Sequence, residues 1–133
     1  MASWGAEERI GLLVGLIQLM NEAAGEDPRV GDIYEVARHL ASGGLFRYTF
    51  LPGTWWSSEL WSDLDTARSQ ALLWYYDSSR GSVLPRRRVS LTEKGRHLAC
   101  QSFRSVSGQV LTELRRAINA AMEPSARSQA MPT

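Results

Sequence analysis

Apolar side chains at Ile10, Leu13, Val14, Ile17 and Met20 recur at the spacing of one helical face. Leu12, Leu16 and Leu19 add a second face. The helix expected over about 4–22 therefore has to be covered on two sides, by its own chain or by a second copy. Ser3 is its candidate cap, and Glu7 and Glu8 suit the positive end of the helix dipole. The apolar run is too short to cross a bilayer and reads as a buried helix ended by Ala23–Gly25. Asp27-Pro28 marks a second helix start, and Ile33, Val36, Ala37 and Leu40 give it one clear stripe over about 28–42, closed by Gly43-Gly44. Phe46, Tyr48 and Phe50 alternate with Arg47 and Thr49, the period of a short strand, before Pro52-Gly53 turns the chain. Ser57 or Ser58 caps a third helix over about 58–72, with Leu60, Leu64, Ala67 and Ala71 inward and Trp61 at the border.

Two β-prone runs, Leu73–Tyr76 and Arg87–Leu91, flank a tip rich in turn formers (Asp77, Ser78, Ser79, Gly81, Pro85), which predicts a hairpin with a long polar loop. Thr92 caps a fourth helix over about 92–104, with Leu98, Ala99 and Phe103 inward. After a break at Ser105 or Ser107, Val106, Val110, Leu111, Leu114, Ile118 and Ala121 continue at helical spacing to about residue 122. That C-terminal stripe, about 105–122, has two readings. It packs on the first helix within one chain, or Val110, Leu114 and Ile118 pair with a second copy across a two-fold axis. Residues 123–133, rich in Ser, Ala and Pro, read as a disordered tail, which leaves 1–122 as one domain.

The third helix, the junction Ala71-Leu72-Leu73, the basic hairpin and a capped helix opening Leu91-Thr92-Glu93-Lys94-Gly95-Arg96 together resemble a winged helix-turn-helix domain. Small prokaryotic and archaeal-type transcription regulators carry such domains. The resemblance covers about Ile10 to Phe103. It implies an α+β fold, winged helix-turn-helix with an additional C-terminal helix. It also implies duplex DNA as the partner, with the third helix in the major groove. Some members of the family serve only as protein-docking modules.

Net charge is +1, but it is unevenly spread. Residues 1–44 hold seven acids against three bases, whereas residues 77–104 hold seven bases (Arg80, Arg86, Arg87, Arg88, Lys94, Arg96, Arg104) against Asp77 and Glu93. The positive charge therefore concentrates on the hairpin and the start of the next helix. Arg86, Arg87 and Arg88 are the expected phosphate or minor-groove contacts, and Arg80, Lys94 and Arg96 add phosphate contacts. Strand alternation sends Arg86 and Arg88 to one face and Arg87 to the other. Ser62, Arg68, Ser69 and Gln70 are the candidates for base edges.

Against this stands an acidic third helix, with Glu59, Asp63 and Asp65 among its outward candidates and Arg68 as its one base. Carboxylates beside phosphates are costly. The DNA reading requires Asp63 and Asp65 to turn away from the groove or to bond Arg68 and Arg47. Exposed, unpaired carboxylates would favour the alternative, a protein-interaction module docking through this helix and a tryptophan patch at Trp55 and Trp56. Packing accounts for Trp56 and Trp61 and leaves Trp55 open.

Other chemistry is sparse. His39 reads as a solvent-facing residue at a helix end and His97 as part of the basic patch; neither has a partner set at metal-ligand spacing. Cys100 excludes an intrachain disulfide and reads as a buried thiol. Gly11, Gly15 and Gly43-Gly44 fit no nucleotide-binding fingerprint, and Asp63 and Asp65, two residues apart on a helix, point apart and do not form a carboxylate pair. The expectation is a cytoplasmic, non-enzymatic protein without cofactor or metal, nucleoid-associated where it binds DNA and dimeric where the C-terminal stripe pairs.

Overall fold

Capping residues and apolar stripes set the element order. The computed structural model describes residues 5–46, 48–76 and 83–130. The expected cap Ser3, the residue Arg47 and the hairpin tip with Arg80 lie outside them. The elements are α1 (Ala6–Ala24), α2 (Val30–Ser42), α3 (Ser58–Ser69), β1 (Leu73–Tyr76), a 3-10 turn (Leu84–Arg86), β2 (Arg88–Leu91), α4 (Glu93–Ser105) and α5 (Gly108–Ala130). The fold is α+β: helices around a two-stranded antiparallel sheet. β1 and β2 pair in the register Leu73 with Leu91 and Tyr75 with Val89, which turns those four side chains inward and Trp74 and Tyr76 outward.

α1 is buried from Ile10 through Ile17, all around its axis, as two apolar faces require. The cover comes from the same chain. α4 lies along one side of α1, and α3, β2 and α5 contact it elsewhere. Gly11 and Gly15 face α4, where a β-carbon would meet Ser102 Oγ at 2.5 Å and Phe103 Cε1 at 2.9 Å. The two helices approach so closely because those side chains are missing.

α5 packs chiefly on α2 and only secondarily on α1. Leu114 and Ile118 are fully buried inside the chain, and Val110 is half-buried beside them. The reading of Leu114 and Ile118 as surface for a second copy is therefore corrected: the stripe is spent on the chain's own core. α5 also runs to Ala130, past the expected end near residue 122.

Three further expectations change. Asp27-Pro28 does not start α2; the helix begins at Val30, with Arg29 as its cap residue. Asp27 instead accepts hydrogen bonds from Asn21 Nδ2 (2.8 Å) and from the Tyr76 hydroxyl (2.7 Å), and Arg29 forms a bridge to Arg88 of β2. Hairpin pairing outcompetes the cap. Phe46 and Tyr48 are both buried and stacked at 5.2 Å, yet residues 48–50 pair with no strand among the described residues. The alternation there reports burial, not a ladder. Cys100 is exposed on α4, not buried.

Candidate nucleic-acid interface

The motif that carries the family resemblance is a latch. Thr92 caps α4 by accepting from the Gly95 amide at 3.0 Å. The same Thr92 hydroxyl donates to the Ala71 carbonyl at 2.6 Å, and its amide donates to the Leu72 carbonyl at 3.0 Å. Lys94 Nζ donates to the Gln70 carbonyl at 3.0 Å, which puts a cation on the negative end of α3. Gly95 passes over the Leu72 carbonyl so closely that any β-carbon would clash with it. Ala71 adopts a left-handed conformation (φ 61°) at this junction, ending α3 at Ser69 rather than near 72. Threonine, lysine and glycine at this spacing thus fix the third helix to the fourth. Lys94 is a helix-end partner, a role different from the phosphate contact expected of it.

Asp63 is the largest departure from the sequence reading. Leu60, Asp63, Leu64 and Ala67 are the buried residues of α3. The Arg9 guanidinium of α1 holds the Asp63 carboxylate with two hydrogen bonds, 2.6 and 3.0 Å, and the Tyr48 hydroxyl donates a third at 2.7 Å. The bidentate fork compensates the burial of the charge. The bond to Asp63 raises the pKa of Arg9, and burial, then the Asp63 charge, pushes the Tyr48 phenol far above its usual range. The spacing of Asp63 with Leu60, Leu64 and Ala67 was the signal: an acid at i+3 in an apolar stripe calls for a buried partner. Asp65 pairs with Arg68 at 3.0 Å, so Arg68 is engaged on its own helix. Glu59 Oε1 accepts from the Thr49 amide.

What α3 presents to solvent is therefore mostly small and neutral: Ser58, Ser62, Thr66, Ser69 and Gln70, beside Glu59 and Arg68. The Thr66 and Ser69 hydroxyls donate back to the carbonyls of Ser62 and Asp65. Short side chains of this kind leave the helix backbone open to close approach.

The arginines part company. Arg88 is mostly buried, donates to the Asp27 carbonyl at 2.6 Å and meets Glu26 at 3.5 Å. It anchors the hairpin to the α1–α2 connection, which removes it from the expected phosphate contacts. Arg86 and Arg87 are exposed on the hairpin shoulder, and Arg96 is exposed on the first turn of α4.

The shoulder abuts the N-terminus of α2. Val30 donates its amide to the Arg87 carbonyl at 2.8 Å, and Gly31 lies against Pro85. One turn further along α2, Tyr34 is buried, and its hydroxyl donates to the carbonyl of Ser57, the cap of α3, at 3.3 Å. Burial raises the pKa of that phenol. Trp55 stands edge-on to Tyr34 at 4.8 Å, Trp56 stacks on it at 5.6 Å, and the aromatic run continues through Trp61 to Tyr75. Trp56 and Trp61 are half-buried, as packing predicts, and Trp55 is 37% exposed. The arginine shoulder thus adjoins the start of α2 at Gly31, and α2 in turn reaches the cap of α3 through the buried Tyr34.

His39 is exposed in the last turn of α2, 3.7 Å from Glu35, and His97 is exposed on α4. Among the described residues no three His, Cys, Asp or Glu side chains gather at a metal-binding distance, and no helix is long and apolar enough to cross a membrane. In comparison with known proteins, no family model, no curated protein and no solved structure matches this chain.

Proposed function

We propose that the chain is a winged helix-turn-helix protein that binds duplex DNA with the face where the starts of α2 and α3 adjoin the Arg86–Arg87 shoulder. One observation carries the reading: two of the three acids of α3 are withdrawn from its outward face or neutralised on it, because Asp63 is drawn inward by Arg9 and Tyr48 and Asp65 is paired with Arg68, which leaves Glu59, bonded to the Thr49 amide, at the exposed start of the helix. The element order supports it. Three helices lead into an antiparallel hairpin, and the α1–α2 connection adds a single bridge at Arg29 as a third, minimal strand. Helix N-termini favour phosphate, and exposed arginines beside them add the charge. Arg29 and Arg38 are exposed nearby and help offset Asp32, Glu35 and Glu59. On this reading Ser62, in the first half of α3, approaches base edges, Arg86 and Arg87 hold phosphates, and Arg88 and Lys94 position the hairpin and α3, whereas Ser69, Gln70 and Arg96 belong to the far end of α3 and its junction with α4.

The protein-docking alternative keeps an observation of its own. Trp74 and Tyr76 pair at 5.0 Å on the outer face of the hairpin, and Trp74 is half exposed. Exposed aromatic pairs of this kind occur at protein interfaces.

Fluorescence anisotropy of a labelled mixed-sequence duplex, titrated across salt, separates the two. A contact with Z phosphates gives a slope of roughly −0.9Z in log K against log salt. The double variant Arg86→Ala/Arg87→Ala is expected to flatten that slope by up to about 2. Absence of binding at low salt would remove the DNA reading in favour of docking.

A further inference from the structure

The two edges of the hairpin differ. β2 is covered on its outer side: the Val89 amide donates to the Pro28 carbonyl at 2.9 Å, and the Arg87 carbonyl accepts from the Val30 amide at 2.8 Å. These bonds turn the backbone of residues 87 and 89 away from β1. Arg88 and Ser90 are therefore the residues that bond to β1, through their partners Tyr76 and Trp74. The Thr92 amide, bonded to the Leu72 carbonyl, continues the same alternation. It follows that the N–H and C=O groups of Leu73 and Tyr75 point to the far edge of β1. Among the described residues nothing bonds them there. An open edge is a template for one kind of ligand, an extended chain that offers amides and carbonyls in the same alternation.

The side chains along this edge fit a second copy. The strand is Leu73-Trp74-Tyr75-Tyr76, without the charge, proline or bulge that keeps sheet edges apart. Trp74 is half exposed and lies 5.0 Å from Tyr76 on the outer face. Antiparallel pairing of β1 with its own copy has a register that uses every open group. Leu73 exchanges both its bonds with the partner's Tyr75, and Tyr75 does the same with the partner's Leu73. The two-fold axis then passes between Trp74 and its counterpart, a pair without mutual backbone bonds whose α-carbons stand about 4.5 Å apart. Both indoles lie on the outer face, each flanked by a Tyr76, so the exposed aromatic pair becomes half of a four-ring cluster.

We propose that the β1 edge is an interface between two copies of this chain, joined in one continuous four-stranded antiparallel sheet with Trp74 facing Trp74 across the dyad. The pairing requires no DNA, and it leaves clear the opposite edge of the hairpin, where Arg87 meets Val30. A short strand pair and one aromatic cluster make a small interface, so a dissociation constant of about micromolar order is expected.

Sedimentation velocity of the full chain, from about 1 to about 500 µM and without DNA, is expected to show a monomer giving way to a dimer. Trp74→Lys and Trp74→Glu each set like charges opposite one another and are expected to weaken association about tenfold or more. An equimolar mixture of the two sets opposite charges together and is expected to regain dimer that neither variant forms alone. In a Cys100→Ser background, Trp74→Cys is expected to oxidise to a disulfide-linked dimer, because the α-carbon spacing of that pair lies within disulfide range. A wild type that stays monomeric throughout overturns the inference. So does a dimer undiminished in both charged variants, which places the contact elsewhere. Loss of the dimer in both without recovery in the mixture overturns the facing of Trp74 across the dyad. Where circular dichroism shows a charged variant unfolded, the disulfide decides: its failure to form overturns the inference.

Discussion

α1 is gripped on its two sides by opposite kinds of chemistry. Toward α4 the contact is apolar and close, made possible by Gly11 and Gly15 against Ser102 and Phe103. Toward α3 it is polar and directed, made by the Arg9 fork on Asp63 with Tyr48 as third partner. Apolar contact is non-directional and rewards area, so it fixes how near two helices lie. A bidentate ion pair is directional, so it fixes how α3 is turned about its own axis. The first holds the scaffold; the second decides which side chains α3 offers to solvent.

Substitutions should separate these roles. The largest effects are expected on the close-packed side. Gly15→Leu drives a side chain into Phe103, and Gly95→Ala drives a β-carbon into the Leu72 carbonyl. Each is expected to cost about 3 kcal/mol or more by overpacking in urea unfolding. A loss under about 1 kcal/mol would mean that the helices separate easily and that the contact is loose.

On the directed side the expected loss is smaller and coupled. Arg9→Met leaves the Asp63 carboxylate buried with only Tyr48, and because Arg9 is about a third exposed the expected cost is about 2 kcal/mol. Adding Asp63→Asn to Arg9→Met should recover part of that loss, since the orphaned charge disappears. Strictly additive losses in the double-mutant cycle would show that the two side chains do not act as a unit.

The smallest effect is expected at Tyr75. Its hydroxyl is buried without a hydrogen-bond partner among the described residues, beneath the stacked Trp61 ring. Tyr75→Phe should therefore be neutral or stabilising by up to about 1 kcal/mol, seen as an unchanged or raised Tm. Burial, with the Asp65 charge adding to it, pushes the Tyr75 pKa up to about 12. A raised folded-state pKa means that the folded protein keeps a proton which the unfolded chain gives up near pH 10. Stability is then full below pH 10 and falls as pH rises toward 12, with Tyr34 and Tyr48 contributing in the same direction. Tyr75→Phe should make that alkaline decline shallower.

Much of the architecture was legible from periodicity and punctuation. The stripe of α2, the caps Ser57 and Thr92, the Gly25 stop and the hairpin runs all act through neighbours a few residues away, and such interactions are written locally. The candidate interface was legible only in part. Arg86 and Arg87 lie exposed on the shoulder as their polarity suggests, but Arg88 beside them is held by Asp27 and Glu26, which lie some sixty residues away along the chain. Three adjacent arginines look alike in sequence; a strand sorts them by side.

Asp27 and Asp63 mark the same limit. Each looked local, one as a helix cap and the other as an outward acid of α3. Each was claimed instead by distant partners, Tyr76 and Asn21 in one case, Arg9 and Tyr48 in the other. The sequence by itself determined the helices, the caps Ser57 and Thr92, the hairpin strands and the two-sided burial of α1, because these follow from short-range periodicity and backbone chemistry. Only the tertiary structure decided which charges are drawn into the chain's own contacts and which stay at its surface, because that choice depends on long-range pairs whose geometry exists only once the helices have packed.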